Sequence, residues 1–229
     1  MIRAQKKRVR SWACFAVAIM AVVSAGGDCF ASDDGDFQYW NTTNVSFGMN
    51  KDWKFTFQEE LRFGESGKRL YYQHYEPGFT YSGMAEWVDL GFNYRQVIER
   101  DSKGKWKLEY QPNLNVTLKG KLLGLDVSDR SRIEYRIRED REDVWRYRNK
   151  FTVKLPFELT ELKLRPYVAD EIFIPLDNVE ISTNRLYAGV PFKLTKNIGC
   201  DIYYLWQSSR SGDSWTDIDV LGTSLKLSF

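Results

Sequence analysis

The sequence predicts an all-β protein, an antiparallel transmembrane β-barrel of 10–12 strands with a charged, Arg-rich lumen. Three observations carry that prediction. Apolar and polar residues alternate one-for-one over long stretches, the period of strands whose two faces meet different surroundings. Aromatics mark the strand ends, at Trp53, Trp87, Trp106, Trp145, Trp206 and Trp215. Connections also alternate between short and longer polar ones, as an aromatic-girdled membrane barrel requires.

The N-terminus points to export. Arg3, Lys6, Lys7, Arg8 and Arg10 precede an apolar run from Trp12 to Ala25 and the small-residue pattern Cys29-Phe30-Ala31. This is the layout of a secretory signal peptide, with cleavage expected after Ala31 and Ala25 as the alternative. Residues 1–31 are therefore read as the signal and 32–229 as a single barrel domain. The run is short for a retained anchor. Asp28 also fills the position where a lipid-attachment site at Cys29 needs a small residue.

Removing that segment takes Lys+Arg from 33 to 28 and Asp+Glu from 31 to 30, so the formal charge moves from +2 to −2. A near-neutral exported chain is a poor nucleic-acid binder, and no nucleic-acid partner is expected. Cys200 remains as a lone cysteine, which excludes an internal disulfide and a cysteine-built metal site. No cofactor or metal is expected.

Strands are predicted in order. Phe37–Met49 shares one register through Phe37, Tyr39, Val45, Phe47 and Met49, and Asn50-Lys51-Asp52 forms a turn. Trp53, Phe55, Phe57, Leu61 and Phe63 then alternate against Lys54, Thr56, Gln58, Glu60 and Arg62, with Glu59 breaking register and predicting a bulge or a locally paired acid. Leu70–Tyr81, a tight Ser82-Gly83-Met84 turn and Glu86–Ile98 follow. From Trp106 to Lys119 seven consecutive apolar–polar pairs match the strand template, and Pro112 predicts a bulge or looser pairing. The stretch Arg130–Leu155 reads as two strands joined by a polar loop, EDRED. Later strands are expected at about 162–174, 185–194, 198–208 and 216–229.

These make 11 segments, whereas bacterial single-chain barrels normally have an even number. The expectation is 12, with one strand unread, or 10 if the first lies outside the wall.

Alternation alone does not say which face points inward, and a secreted soluble β-barrel or sandwich binding a ligand fits it equally. The C-terminus favours the membrane: Phe229, with apolar residues at alternate positions before it, has the form of the assembly signal of outer-membrane barrels. With the oily face in lipid, Arg or Lys at the midplane costs about 2–4 kcal/mol, so the charged rows must face the lumen. The lumen-lining set is then Arg95, Glu109, Arg130, Arg132, Glu134, Arg136, Arg138, Arg146, Arg148, Lys150, Arg165, Glu171 and Arg185. It reads either as a cross-strand ionic network filling the interior or as a constriction selecting anionic solutes.

His74, in register with Glu76, is a weak catalytic candidate, with Ser82 or Ser46 as distant partners for a lipid hydrolase or acyltransferase. No enzyme activity is expected, and a hydrogen-bonded resident histidine is the plainer reading. EDRED and Asp213, Asp217 and Asp219 are solvated loop acids, or contacts for divalent ions bridging lipopolysaccharide.

The strings RLYYQHYEPGFTYSG, NYRQ, RYRNK, PYVADEIFI, NRLYAG and DIYYLWQSS, with Phe229, resemble a bacterial outer-membrane barrel family catalogued as a domain of unknown function, number 2490. Ala169–Phe173 is the most specific part. The resemblance implies location in the outer membrane and brings no reaction or ligand. Expected partners are outer-membrane lipid, lipopolysaccharide and the barrel-assembly machinery. The expected role is structural, or that of a narrow porin-like channel whose Arg-rich lumen meets anionic solutes or lipid head groups.

Overall fold

The structure, a computed structural model, describes residues 34–139 and 141–229. The expected signal peptide lies outside the described residues. Eleven strands form one closed barrel: β1 (Asp36–Gly48), β2 (Trp53–Gly64), β3 (Arg69–Ala85), β4 (Val88–Arg100), β5 (Trp106–Leu122), β6 (Leu125–Arg138), β7 (Val144–Lys154), β8 (Tyr167–Pro175), β9 (Thr183–Lys193), β10 (Ile198–Ser211) and β11 (Ser214–Ser228). Every sequential pair is antiparallel, and β1 closes the barrel by pairing parallel with β11 from Asp36↔Ile218 to Ser46↔Ser228. The expected 12 or 10 is thus corrected to 11. Even parity assumes that the last pair is antiparallel, and one parallel seam removes the requirement.

The chain's alternation becomes inside and outside. On β5, Glu109, Gln111, Asn113 and Asn115 are buried while Leu114, Val116 and Leu118 are exposed. β10 and β11 differ, because apolar residues there point inward. Tyr203, Leu205, Ile218 and Val220 pack with Trp40 of β1 into the one hydrophobic cluster among the described residues.

Irregularities fall where the chain has a local reason for them. The bulge expected at Glu59 lies instead between Arg62 and Phe63, where Tyr71 is the extra residue opposite them. That extra residue turns Tyr71 inward, and its hydroxyl donates to Gln38 Oε1 at 2.8 Å. Pro77 and Pro112 sit where the β3–β4 and β5–β6 ladders are interrupted without a change of register, since neither can donate. The turn expected at Ser82–Met84 is part of β3, which shifts register between Tyr81 and Ala85 before turning at residues 86–87.

The short turns 49–52, 86–87, 123–124 and 194–197 share the end that carries Phe229. Loops 101–105 and 176–182 and the β6–β7 connection lie at the other. Two connections depart from the expected asymmetry. Residues 155–166, expected to begin a strand at Leu162, form the longest loop at the short-turn end, and the β10–β11 connection is only residues 212–213. At the loop end, Asp101 accepts from the amides of Lys105 and Lys103, which holds its carboxyl below the usual range. Trp53 and Trp87 sit at the short-turn end and Trp106, Trp145 and Trp215 at the loop end, whereas Trp206 lies within β10.

Gly222 shows how tightly the interior is filled. It pairs with Tyr203, and a Cβ on it would clash with that ring. Gly222→Ala must displace a buried aromatic in a packed cluster, at a cost of about 1–3 kcal/mol. The midpoint of denaturant unfolding should fall accordingly; an unchanged midpoint would mean that the ring can move freely.

The charged barrel interior as candidate functional site

Side chains from β3 to β9 build a set of buried ion pairs. Glu76 of β3 pairs with Arg95 Nε of β4 and with Arg132 of β6, whose Nη2 lies 3.1 Å from Oε1. Asn93 donates to the same carboxylate at 2.7 Å. Glu134, 0% exposed, pairs with Arg146, with Arg148 at 3.5 Å and with Arg132 at 4.0 Å. Glu171 takes Arg130 at 2.8 Å, Arg148 at 2.9 Å and Arg185 at 3.8 Å, and accepts from Tyr187 at 2.8 Å. Glu109 holds Arg136 with two hydrogen bonds and Gln111 with one at 2.7 Å.

Each of these carboxylates except Glu109 is shared by two or three guanidinium groups. The uncovered faces of the cations rest on aromatics: Arg148 and Arg185 lie 4.3 and 4.6 Å from the Phe173 centroid, and Lys150 lies 3.4 Å from that of Tyr187. Thus Arg95, Glu109, Arg132, Glu134, Arg148, Glu171 and Arg185 are buried. Arg130, Arg136, Arg146 and Lys150 are half-buried beside them. Two residues of the expected set stand apart. Arg138 lies at the loop-end rim, bonded to the Glu142 carbonyl, and Arg165 lies in the 155–166 loop, paired with Asp126.

A second centre was only half-read from the sequence. Arg62 of β2 pairs with Glu60 at 2.6 Å and is sandwiched between Trp40 and Tyr72, at 3.7 and 4.1 Å from their centroids. Apart from Glu59, the alternation of β2 places Glu60 and Arg62 on the polar face, and that signal was enough to find them.

His74 is buried, with Tyr72 OH 3.1 Å from Nδ1 and Gln58 Oε1 3.1 Å from Nε2. Its neighbour in register, Glu76, is committed to Arg95 and Arg132. Ser82 donates to Asp89 at 2.7 Å, and Ser46 to the Leu227 carbonyl at 3.3 Å and Ser228 at 3.1 Å, so neither hydroxyl engages the imidazole. Asp217 and Asp219 lie on β11, where Tyr204 donates to Asp219. Among the described residues no group of three metal-ligating side chains gathers.

Polar residues on the outer face are bonded to one another across strands. Asn149 donates to Asp129 at 2.7 Å, Asn184 to Asp170 at 2.6 Å, and Asn41 to Thr223 at 2.9 Å. The stretch singled out by sequence, Ala169–Phe173, supplies both Glu171 and Phe173 to the interior network.

No curated protein and no solved structure matches the chain. A family model matches residues 37–217, from the first strand into the last. The chain belongs to the family described as Protein of unknown function (DUF2490).

Proposed function

We propose that this chain is an outer-membrane β-barrel whose interior is closed by the Glu–Arg network and the Trp40–Leu205 cluster. On this reading it serves as a membrane-embedded structural unit and not as an open diffusion channel. One observation carries the reading: burial is reversed relative to a water-soluble protein. Charged Arg132, Glu134, Arg148 and Glu171 are inside, while Leu114, Leu186, Ile202, Phe92 and Leu221 are exposed. Exposed apolar surface on that scale needs a cover, and acyl chains supply one around the whole circumference. The cross-strand bonding of Asn149, Asn184 and Asn41 is what lipid demands of an outward polar group.

A barrel of 11 strands is wider than the eight-stranded ones that ordinary side chains fill. Long Arg side chains spanning between strands, backed by Trp and Phe, suit that extra width. Lipid and lipopolysaccharide would surround the wall.

The test is extraction and electrophoresis, followed by conductance. The protein should need detergent, migrate differently before and after boiling, and give no steady current in planar bilayers. Free solubility without detergent would overturn the membrane assignment. A steady anion-selective current lost in Arg132→Ala or Arg148→Ala would overturn closure and make the network a selective constriction.

A further inference from the structure

We propose that the end of the barrel carrying Phe229 holds a binding site for a phosphate ester, the head group of an anionic phospholipid in the adjoining leaflet; the lipid source rests on the membrane reading above. The site is a cavity of about 370 Å³ between the 155–166 loop, the 194–197 turn and the end of β11. The loop that walls it is fixed. It doubles back through the Leu159↔Leu164 bridge and is tied to β9 by Lys193 N to Leu162 O at 3.1 Å and Arg165 N to Pro191 O at 3.2 Å.

The cavity is lined by Lys154, Lys163, Arg165, Lys193, Lys196 and Lys226, with Glu158 as the one lining acid. Three of these cations are committed: Lys163 to Glu158 at 3.1 Å, Lys226 to Asp201 at 3.5 Å, and Arg165 to Asp126. Lys154, Lys193 and Lys196 have no carboxylate within 4.0 Å among the described residues. Like charges around one concave wall repel, and an anion in the cavity relieves them. Thr195, Asn197 and Ser228 add neutral polar groups to the same wall.

Two comparisons within the molecule sharpen the choice of ligand. The cavity at the opposite mouth also has arginines, but Glu99, Asp101 and Glu109 line it with them, and Arg136 there is held by Glu109. Five basic side chains face three lining acids there, whereas six face one at the Phe229 end, so the larger excess of positive charge lies in the Phe229-end cavity. Beside that cavity, Phe157, Leu159 and Leu162 of the loop are exposed, as are Leu194 and Phe229. A basic hollow bordered by apolar side chains fits a ligand with a phosphate and attached acyl chains, and lysines at a membrane boundary attract such head groups.

The test uses the whole barrel in lauryldimethylamine oxide micelles, titrated with dihexanoyl phosphatidylglycerol, dihexanoyl phosphatidylcholine and glycerol 3-phosphate. Phosphatidylglycerol should bind saturably, about tenfold more weakly in Lys154→Ala/Lys193→Ala/Lys196→Ala, and more weakly still at about 0.5 M salt. Lys51→Ala/Lys119→Ala, which removes charge at the same end outside the cavity, should bind like the parent. Glycerol 3-phosphate binding far more weakly than phosphatidylglycerol supports the lipid source, and equal binding assigns the site to a soluble phosphate ester. No saturable binding of either, equal binding of phosphatidylcholine, or affinity unchanged in the triple variant would overturn the site. Should the protein prove soluble without detergent, the membrane reading fails alone, and glycerol 3-phosphate titrated in plain buffer still decides the site.

Discussion

Glu134→Ala is expected to destabilise the folded barrel by about 3–5 kcal/mol, the cost of leaving buried charge without its partner. Its carboxylate is fully enclosed and stands between Arg146, Arg148 and Arg132. Arg148 retains Glu171 and Arg132 retains Glu76, but Arg146 pairs with no other acid in the network. The double variant Glu134→Ala/Arg146→Ala should therefore recover part of the loss, which a mutant cycle measures directly. Glu65→Ala, removing a half-exposed partner of Arg69, should change stability by less than about 1 kcal/mol. Unfolding in lipid vesicles, followed by the shift in gel migration, reads all three. Equal midpoints for Glu134→Ala and the parent would show that water reaches these arginines.

Leu114→Arg asks which medium meets the outer face. Leu114 is 53% exposed and lies midway along β5, so in water the substitution would be nearly neutral. Facing hydrocarbon near the midplane, it should cost about 2–4 kcal/mol, and the same change nearer an interface about 0–1. Leu122→Arg, at the last residue of β5, supplies that second position. A large loss at Leu114 with a small one at Leu122 is the depth dependence of a bilayer. Two small losses would place the outer face in water or against protein.

The wall was legible because a period of two survives in almost every strand, and side-chain direction follows from it without knowledge of neighbours. Arg130, Arg132, Glu134 and Arg136 could be placed on one face for that reason alone. What the sequence concealed depends on partners. The bulge belongs to the Arg62–Phe63/Tyr71 register step, and Glu59 attracted attention only because an acid interrupts an oily face. The inward apolar cluster of Tyr203, Leu205, Ile218 and Val220 was hidden, since alternation cannot say that part of a polar-lined interior turns oily. Strand parity was hidden too, because direction at the seam is a property of the closed circle and not of any segment. The division of the interior between Glu76, Glu134 and Glu171 likewise required the register of six strands at once.

The β1–β11 seam has a practical outcome for anyone handling the molecule. Asp36 and Phe229 lie at opposite mouths, so on the membrane reading proposed above an epitope placed beside each would be reached from opposite sides of a sealed vesicle. Linking Phe229 back to Asp36 in a circular permutant would need a linker that travels the full height of the wall, on the order of a dozen extended residues. Antiparallel closure would have let a tight turn do the same.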